Sequence, residues 1–282
     1  MYHKIMRRLI THPRTALTIC RQLVDRHRKA CAKCGCLGSL NLHHTDQRGV
    51  RTYRCRACNK TFSELIGTIF ASSKLNLALW LRAILEWAIS TGSISAAELG
   101  RRLGISHPTA WKMLTKIRAE LLEANLEKLC GTLECDESWH GKKKNQDIIF
   151  GIVSRARRQL RFLTTPNASE MTLHSAVSQT AEFGSTLNTD GWTGYGFASI
   201  HYWHRTVNHS RREWARDGAH TNTIEQIWGW FKGIIRTIHH GISKKYRRFY
   251  LAQFAFRYEH EHSSNLFYAT LVKLFRPTYC LI

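Results

Sequence analysis

Two C-x-x-C pairs, CAKC (Cys31, Cys34) and CRAC (Cys55, Cys58), constrain the early part of this chain more than any other feature. Each pair turns sharply enough to aim two sulfurs at one point, and two such knuckles supply the four soft ligands of a tetrahedral zinc. A redox dithiol is the alternative, but it explains one pair and leaves the other idle. Cys36, His43 and His44 lie in the spacer as substitute ligands, ranked below the four-cysteine set. The spacer has glycine turns and a short alternating segment at Arg51 to Arg54, so residues 29–72 are expected to form a zinc ribbon of β-hairpins. Four of the nine cysteines paired in this way indicate a reducing compartment rather than disulfides.

Charge narrows the partner. Forty-two Lys and Arg against twenty Asp and Glu leave a net charge of +22, with a pI near 10.0. The basic residues run from Arg7 to Arg276 among nine Trp rather than gathering in one tail, which favours nucleic acid over a membrane surface. No stretch reaches the roughly 18 uncharged apolar residues of a spanning helix. The basic N-terminus is broken by Arg, His and Pro before an apolar run develops, so a cytoplasmic protein is expected. Residues 1–28 carry no interpretable motif.

From about Lys74 to Leu122 the apolar spacing is helical. "LNLALWLRAILEWAI" is followed by a helix, a turn at Gly104, and a second helix with Ser106 as N-cap and Pro108 in its first turn. This is helix-turn-helix order, assigned to residues 73–124: Ala97, Leu99 and Leu103 should pack inward, while His107, Thr109 and Lys112 start the helix that meets base edges. A plain helical hairpin is the competing reading; the charge and the adjacent cysteine knuckles favour DNA.

A boundary falls between Glu123 and Gly131, and beyond it the period changes. Three strands ("GTLECDESWHG", "DIIFGIVSR", "QLRFLTTP"), a helix ("SEMTLHSAVSQTAEF"), a strand ("STLNTDGWTGY"), a short strand ("YWHRTVNH") and further helices follow. A three-strand meander with a parallel crossover gives a mixed sheet flanked by helices, an α/β domain over residues 130–282. Its tail reads as helices covering the sheet.

Acids are scarce, so their positions are informative. Asp136 lies near the end of the first strand of this domain, and Asp190 ends a later one. If the two strands are neighbours, the carboxylates emerge side by side, and with a third ligand from a helix they suit a pair of Mg²⁺ ions, which require hard oxygen ligands. Asp190 before Gly191 is also a common turn residue. In "HTNTIEQIWGWFK", Asn222, Glu225 and Lys232 share a helix face beside the apolar Ile224, Ile227, Trp228 and Phe231. Alone, that stripe reads as a solvated face; with the two aspartates it reads as a phosphoryl-transfer site.

"ECDESWHGKK", "TDGWTGY", "VNHS" and "HTNTIEQIWGWFKG", after CAKC and CRAC, resemble the zinc-ribbon insertion-sequence transposases of bacteria with a DD(E/N)K signature, the ISXO type. The resemblance covers about Cys31 to Leu274. It implies a ribonuclease-H-like catalytic domain that cuts transposon ends and joins the 3′ ends to target DNA with Mg²⁺, or with Mn²⁺ in its place. It also implies a homo-oligomer on double-stranded DNA. Asp136 and Asp190 match the two aspartates and Lys232 the basic residue. Asn222 and Glu225 both qualify as the third ligand, the first by motif and the second by charge. Lys142, Lys143, Lys144, Arg211 and Arg212 are expected as backbone contacts. His204, His209 and His220 are read as hydrogen-bonding or phosphate-contact residues rather than a second zinc site. Two other readings stand beside the transposase: a non-catalytic DNA-binding regulator and a structure-selective nuclease.

Overall fold

A computed structural model describes residues 13–25, 30–38, 40–71, 73–122, 127–141, 146–207, 215–216, 218–261 and 266–275. Lys142, Lys143, Lys144, His209, Arg211 and Arg212 lie outside them. The chain divides into two compact units, Met1–Leu121 with Ser263–Ile282, and Leu122–His262.

The first unit opens with helix α1 (Pro13–Asp25), in the segment that carries no motif. Three antiparallel strands follow in the order β1 (Leu40–Thr45), β2 (Arg51–Cys55), β3 (Thr61–Ser63). The expected alternating segment is β2. Arg21 of α1 reaches the Gly49 carbonyl at 2.5 Å and Glu64 at 3.3 Å, while Glu64 also accepts from the Arg51 amide at 2.8 Å.

Helix α2 (Leu77–Ile89) is apolar on nearly every side and buries Trp80, Leu81, Ala83, Ile84, Leu85 and Trp87, as a central core helix must. Asn76 caps it, accepting from the Ala78 amide at 2.8 Å. Helices α3 (Ala96–Leu103) and α4 (His107–Glu120) follow. Ser95 caps α3 through the Glu98 amide at 3.2 Å, and Gly104 ends it in the left-handed region. Leu99 and Leu103 are buried as expected. Ala97 is not: it is exposed, because on so short a helix the buried arc is filled by Leu99, Gly100 and Leu103. A Cβ on Gly100 would stand 2.9 Å from the Ile105 carbonyl, so glycine there lets the turn close tightly.

In the second unit β4 (Thr132–His140), β5 (Asp147–Ser154) and β6 (Gln159–Thr165) form the antiparallel meander. Helix α5 (Glu170–Thr180) carries the chain back to β7 (Thr186–Asp190), which pairs parallel with β4. After a short helix α6 (Ala198–His201), β8 (Trp203–Val207) pairs parallel with β7. The spatial order β6-β5-β4-β7-β8 is that of a ribonuclease-H-like mixed sheet.

Alternation along β4 decides its two faces. Leu133 and Cys135 pack with Phe150, Ile152, Leu187 and the α5 residues Leu173 and Val177. The other face packs against α7 (Asn222–Thr237) and α8 (Lys244–His260): Ile149, Val153 and Leu160 meet Ile224, Ile227, Trp228, Phe231, Leu251 and Phe254. The last helix, α9 (Leu266–Phe275), which the sequence reading grouped with the C-terminal domain, packs against α1, α2 and α4 in the first unit.

Candidate metal centres and nucleic-acid interface

Parallel pairing brings the aspartates together. Thr132, Leu133 and Glu134 of β4 lie opposite Thr186, Leu187 and Asn188 of β7. Two residues further along each strand come Asp136 and Asp190, so period-two alternation puts both on the face that Glu134 and Asn188 share. Their electrostatics show the proximity. Burial pushes the Asp136 carboxyl up to about 7, and the negative charges of Glu137, Asp190 and Glu225 add to the rise. Glu137 is likewise held near 7 by burial, opposed by a hydrogen bond from the Tyr195 hydroxyl and reinforced by Asp190. Asp190 accepts the Trp192 amide at 3.1 Å, so the turn that its sequence context indicated does form, and it orients the carboxylate.

Helix α7 is brought alongside by two residues that carry no signature. Gly151 pairs across from Asp136, and a Cβ there would stand 2.6 Å from Trp228 Cζ2, so only glycine lets α7 settle this close to the strand pair. Glu134, fully buried, accepts the Thr223 and Ile224 amides at 2.8 and 3.0 Å and thereby caps α7 from the strand. Arg155 balances its charge with a short ion pair to Glu134 and donates to the Gly218 and His220 carbonyls at 3.1 and 2.7 Å. The His220 ring lies 3.4 Å from the same carboxylate.

Within α7, Glu225 accepts from the Thr221 hydroxyl at 2.7 Å. At about 100° per residue, Glu225 and Lys232 fall within ~20° of each other, on the flank of the stripe Ile224–Ile227–Trp228–Phe231, and Asn222 stands ~60° from Glu225; Glu225 and Lys232 are exposed, whereas Asn222 is half-buried. Glu225 acts on Asp136, while Lys232 acts on His140 at the far end of β4, where burial together with Lys232 and Arg247 lowers the imidazole to about 4. Helix and strand therefore run alongside each other. His204 is hydrogen-bonded to the Thr189 hydroxyl at 2.9 Å, in line with its expected role.

The four cysteines converge. Their sulfurs lie within 4.8 Å of one another, the one such group of His, Cys, Asp or Glu among the described residues, so the carboxylates form a looser set. Cys31 to Cys58 is 3.8 Å and Cys34 to Cys55 is 3.7 Å; zinc–sulfur bonds of ~2.3 Å in a tetrahedron need roughly the same spacing. Each knuckle closes on a left-handed residue four positions after its first cysteine, Gly35 and Asn59, whose amides donate to the Cys31 and Cys55 carbonyls at 2.9 Å. The amides of Cys58 and Ala57 hold the Cys55 thiol down at about 7, while, against the Cys36 amide, burial and the three neighbouring sulfurs push the Cys34 thiol up, as expected of four thiols sharing protons without a metal. The donor set fits structural zinc. Cys36, His43 and His44 stand outside it.

At the start of α4, His107 and Lys112 are exposed and Thr109 is half-buried, its hydroxyl 2.9 Å from that of Ser106. Ser106 therefore occupies the N-cap without bonding a helix amide.

Residues 128–259 match the ISXO2-like transposase domain. An uncharacterized protein in transposable element ISH50 of Halobacterium salinarum is 22% identical over 251 residues, covering 79% of this chain and 84% of the relative. The catalytic core domain of BIV integrase superposes with a TM-score of 0.34 at 11% identity, over 46% of this chain and 84% of that one. The HTLV-2 integrase catalytic core domain in complex with magnesium gives 0.31 at 13%, over 46% and 88%.

Proposed function

We propose, from the match of residues 128–259 to the ISXO2-like transposase domain, that this chain cuts the ends of an insertion sequence and joins the freed 3′ ends to target DNA. The observation that carries the reading is the register of β4 and β7, which sets Asp136 beside Asp190, with Glu225 close enough to raise the Asp136 carboxyl. Carboxylates gathered on two neighbouring interior strands and the helix beside them are what divalent cations relieve. Two Mg²⁺ ions, or Mn²⁺ in their place, bound there would activate the attacking oxygen and stabilise the leaving one.

The protein's own part is to hold these groups still. Asp136 and Asp190 offer carboxylates from rigid strands. Glu225 is the third ligand: it shares the helix flank with Lys232, and the Thr221 hydroxyl orients it. Lys232 neutralises a phosphate oxygen beside the scissile bond. Glu134, Arg155 and Gly151 are positioning residues that fix α7 on the strand. The zinc ribbon and α4, through His107, Thr109 and Lys112, bind the element's ends; Lys142, Lys143, Lys144, Arg211 and Arg212 contact the backbone. The protein works as a homo-oligomer on double-stranded DNA in the cytoplasm.

The test is nicking and joining of labelled end DNA in Mg²⁺. Wild type should do both, and Asp136→Asn, Asp190→Asn and Glu225→Gln should lose at least ~100-fold in nicking with binding intact. Asn222→Ala should stay within roughly tenfold of wild type; the opposite ranking of Asn222 and Glu225 would transfer the third ligand to Asn222. Binding without nicking would leave a regulator, and nicking without joining a nuclease.

A further inference from the structure

The turn that follows Asp190 presents an aromatic surface that metal-assisted cutting by itself does not use. Trp192 is 51% exposed, yet its ring is held in place. The indole N–H donates to the Ala168 carbonyl at 3.3 Å. A Cβ on Gly194 would stand 2.6 Å from Trp192 Nε1 and 2.8 Å from Cδ1, so glycine lets that edge of the ring lie against the backbone. The turn is fastened on either side of the ring: the Trp192 amide bonds the Asp190 carboxylate at 3.1 Å, and the hydroxyl of buried Tyr195 bonds Glu137 of β4. A large ring fixed in water forgoes the burial it could gain elsewhere, and it loses little freedom when something is laid on it.

Two residues of chain span at most ~7 Å, so the ring stands within reach of the nucleotide whose phosphate ions on Asp190 would hold. DNA offers such a ring one kind of complement. Phosphates call for cations or N–H donors, and paired bases are already stacked on each other, whereas an unpaired base has a bare π face that an aromatic side chain can cover. Resting on the transposase reading above, we propose that Trp192 is a stacking platform for an unpaired base flanking the scissile phosphate. The duplex is opened where it is cut, and stacking on the indole offsets the cost of unpairing, which is lowest at a mismatch. Every base has such a face, so the contact reads the opened state of the DNA rather than its sequence.

Fluorescence anisotropy of the zinc-loaded full chain on labelled end DNA, with Ca²⁺ in place of Mg²⁺ to keep the strands uncut, tests this with a fully paired duplex and one mismatched beside the scissile phosphate. Wild type should bind the mismatched duplex about tenfold more tightly, and an abasic residue at the same place should lose that gain. Trp192→Ala should bind the two duplexes alike, at the wild-type affinity for the paired one, and Trp192→Phe should keep most of the preference. Trp203→Ala removes an exposed indole at the opposite end of the sheet, where Trp203 pairs with Thr186, and should behave as wild type. A preference that survives in Trp192→Ala or on the abasic duplex comes from duplex flexibility and overturns the proposal. Equal loss on both duplexes in Trp192→Ala makes the residue structural and overturns it too, as does a wild type without preference. If that wild type still nicks and joins ends, the platform falls and the transposase reading stands; if it binds no end DNA, both fall.

Discussion

Asp136 is a residue whose charge the fold tolerates poorly without metal. Its carboxyl sits at about 7 because of burial first, then the negative charges of Glu137, Asp190 and Glu225. A folded-state value raised above the ordinary carboxylate range means that the native state holds the proton more tightly than the unfolded chain. That contribution to stability is complete below about pH 4 and is lost as pH rises through 7. Asn at this position never ionises. Metal-free Asp136→Asn should therefore be more stable than wild type at pH 8, by on the order of 2 kcal/mol after discounting for the open side of the site, and equal to it at pH 4. Thermal melts at the two pH values, with and without Mg²⁺, read this directly: the metal should raise the wild-type transition at pH 8 and leave the variant where it is. A variant less stable than wild type at pH 8 without metal would mean that Asp136 is held by compensating groups, and that the case for a cation there is wrong. The same trade explains why so costly a residue is kept on the central strand of the sheet, since stability is surrendered where function needs charge.

Elements show what local pattern can and cannot carry. The alternation in "TLECDESWH" and "DIIFGIVS" marks β4 and β5 on sight, and the crossover through α5 follows from strand, helix, strand. Asp190 was legible because it ends an obvious strand; Asp136, expected near the end of its strand, stands instead at the middle, because β4 stays paired with β5 as far as His140. Glu134 was not singled out, although it stands two residues before Asp136 on the same strand face; its role depends on where a helix some ninety residues later starts, which no window of sequence contains. Ala97 failed for a related reason: helical period gives an arc of apolar residues, but the neighbouring element decides which part of the arc is covered. Because Glu134 caps α7 from outside the helix, Glu134→Gln should weaken two amide bonds and leave Arg155 without its counter-charge. We expect a loss of about 3 kcal/mol, with hydrogen exchange faster at Thr223 and Ile224 than in the rest of α7. Uniform protection would sink the capping role. The ribbon depends on a different device. Its own apolar core is small, built on Cys31, Cys55 and Phe62, too little to order three short strands by burial alone. A strong chelator should release about one zinc per chain and abolish exchange protection in β1 to β3, while the second unit's transition stays in place. Retention of ribbon protection after complete zinc release would show that the hairpins stand without metal.

At the scale of the whole molecule, the chain leaves its first unit at Leu121, builds the catalytic sheet, and returns to finish the first unit with α9. Phe267, Leu271, Leu274 and Phe275 are all buried, and Phe275 stacks on Phe70 at 4.3 Å; Phe70 in turn meets Trp80 of α2 edge-on at 5.4 Å. The apolar spacing of the tail predicted a helix there, but a stripe says only that something will be covered, and this one covers a core begun two hundred residues earlier. Removing everything after Glu261 strips four large side chains from that core. At roughly 1.5–3 kcal/mol each, the loss is about as large as the ~5–15 kcal/mol that typically holds a domain together. The truncated chain should therefore lose protection throughout α2, α3 and α4, yet keep the sheet of β4 to β8, with α5, α7 and α8, intact to limited proteolysis. It should also fail to bind element ends, because α4 presents His107, Thr109 and Lys112 only while Met113, Leu114 and Ile117 on its inner side remain packed. A truncated protein that binds ends normally would show that α2 to α4 fold without α9. If the prediction holds, DNA recognition is complete only after the catalytic unit has been synthesised, since the residues that close the recognition core lie beyond it in the chain.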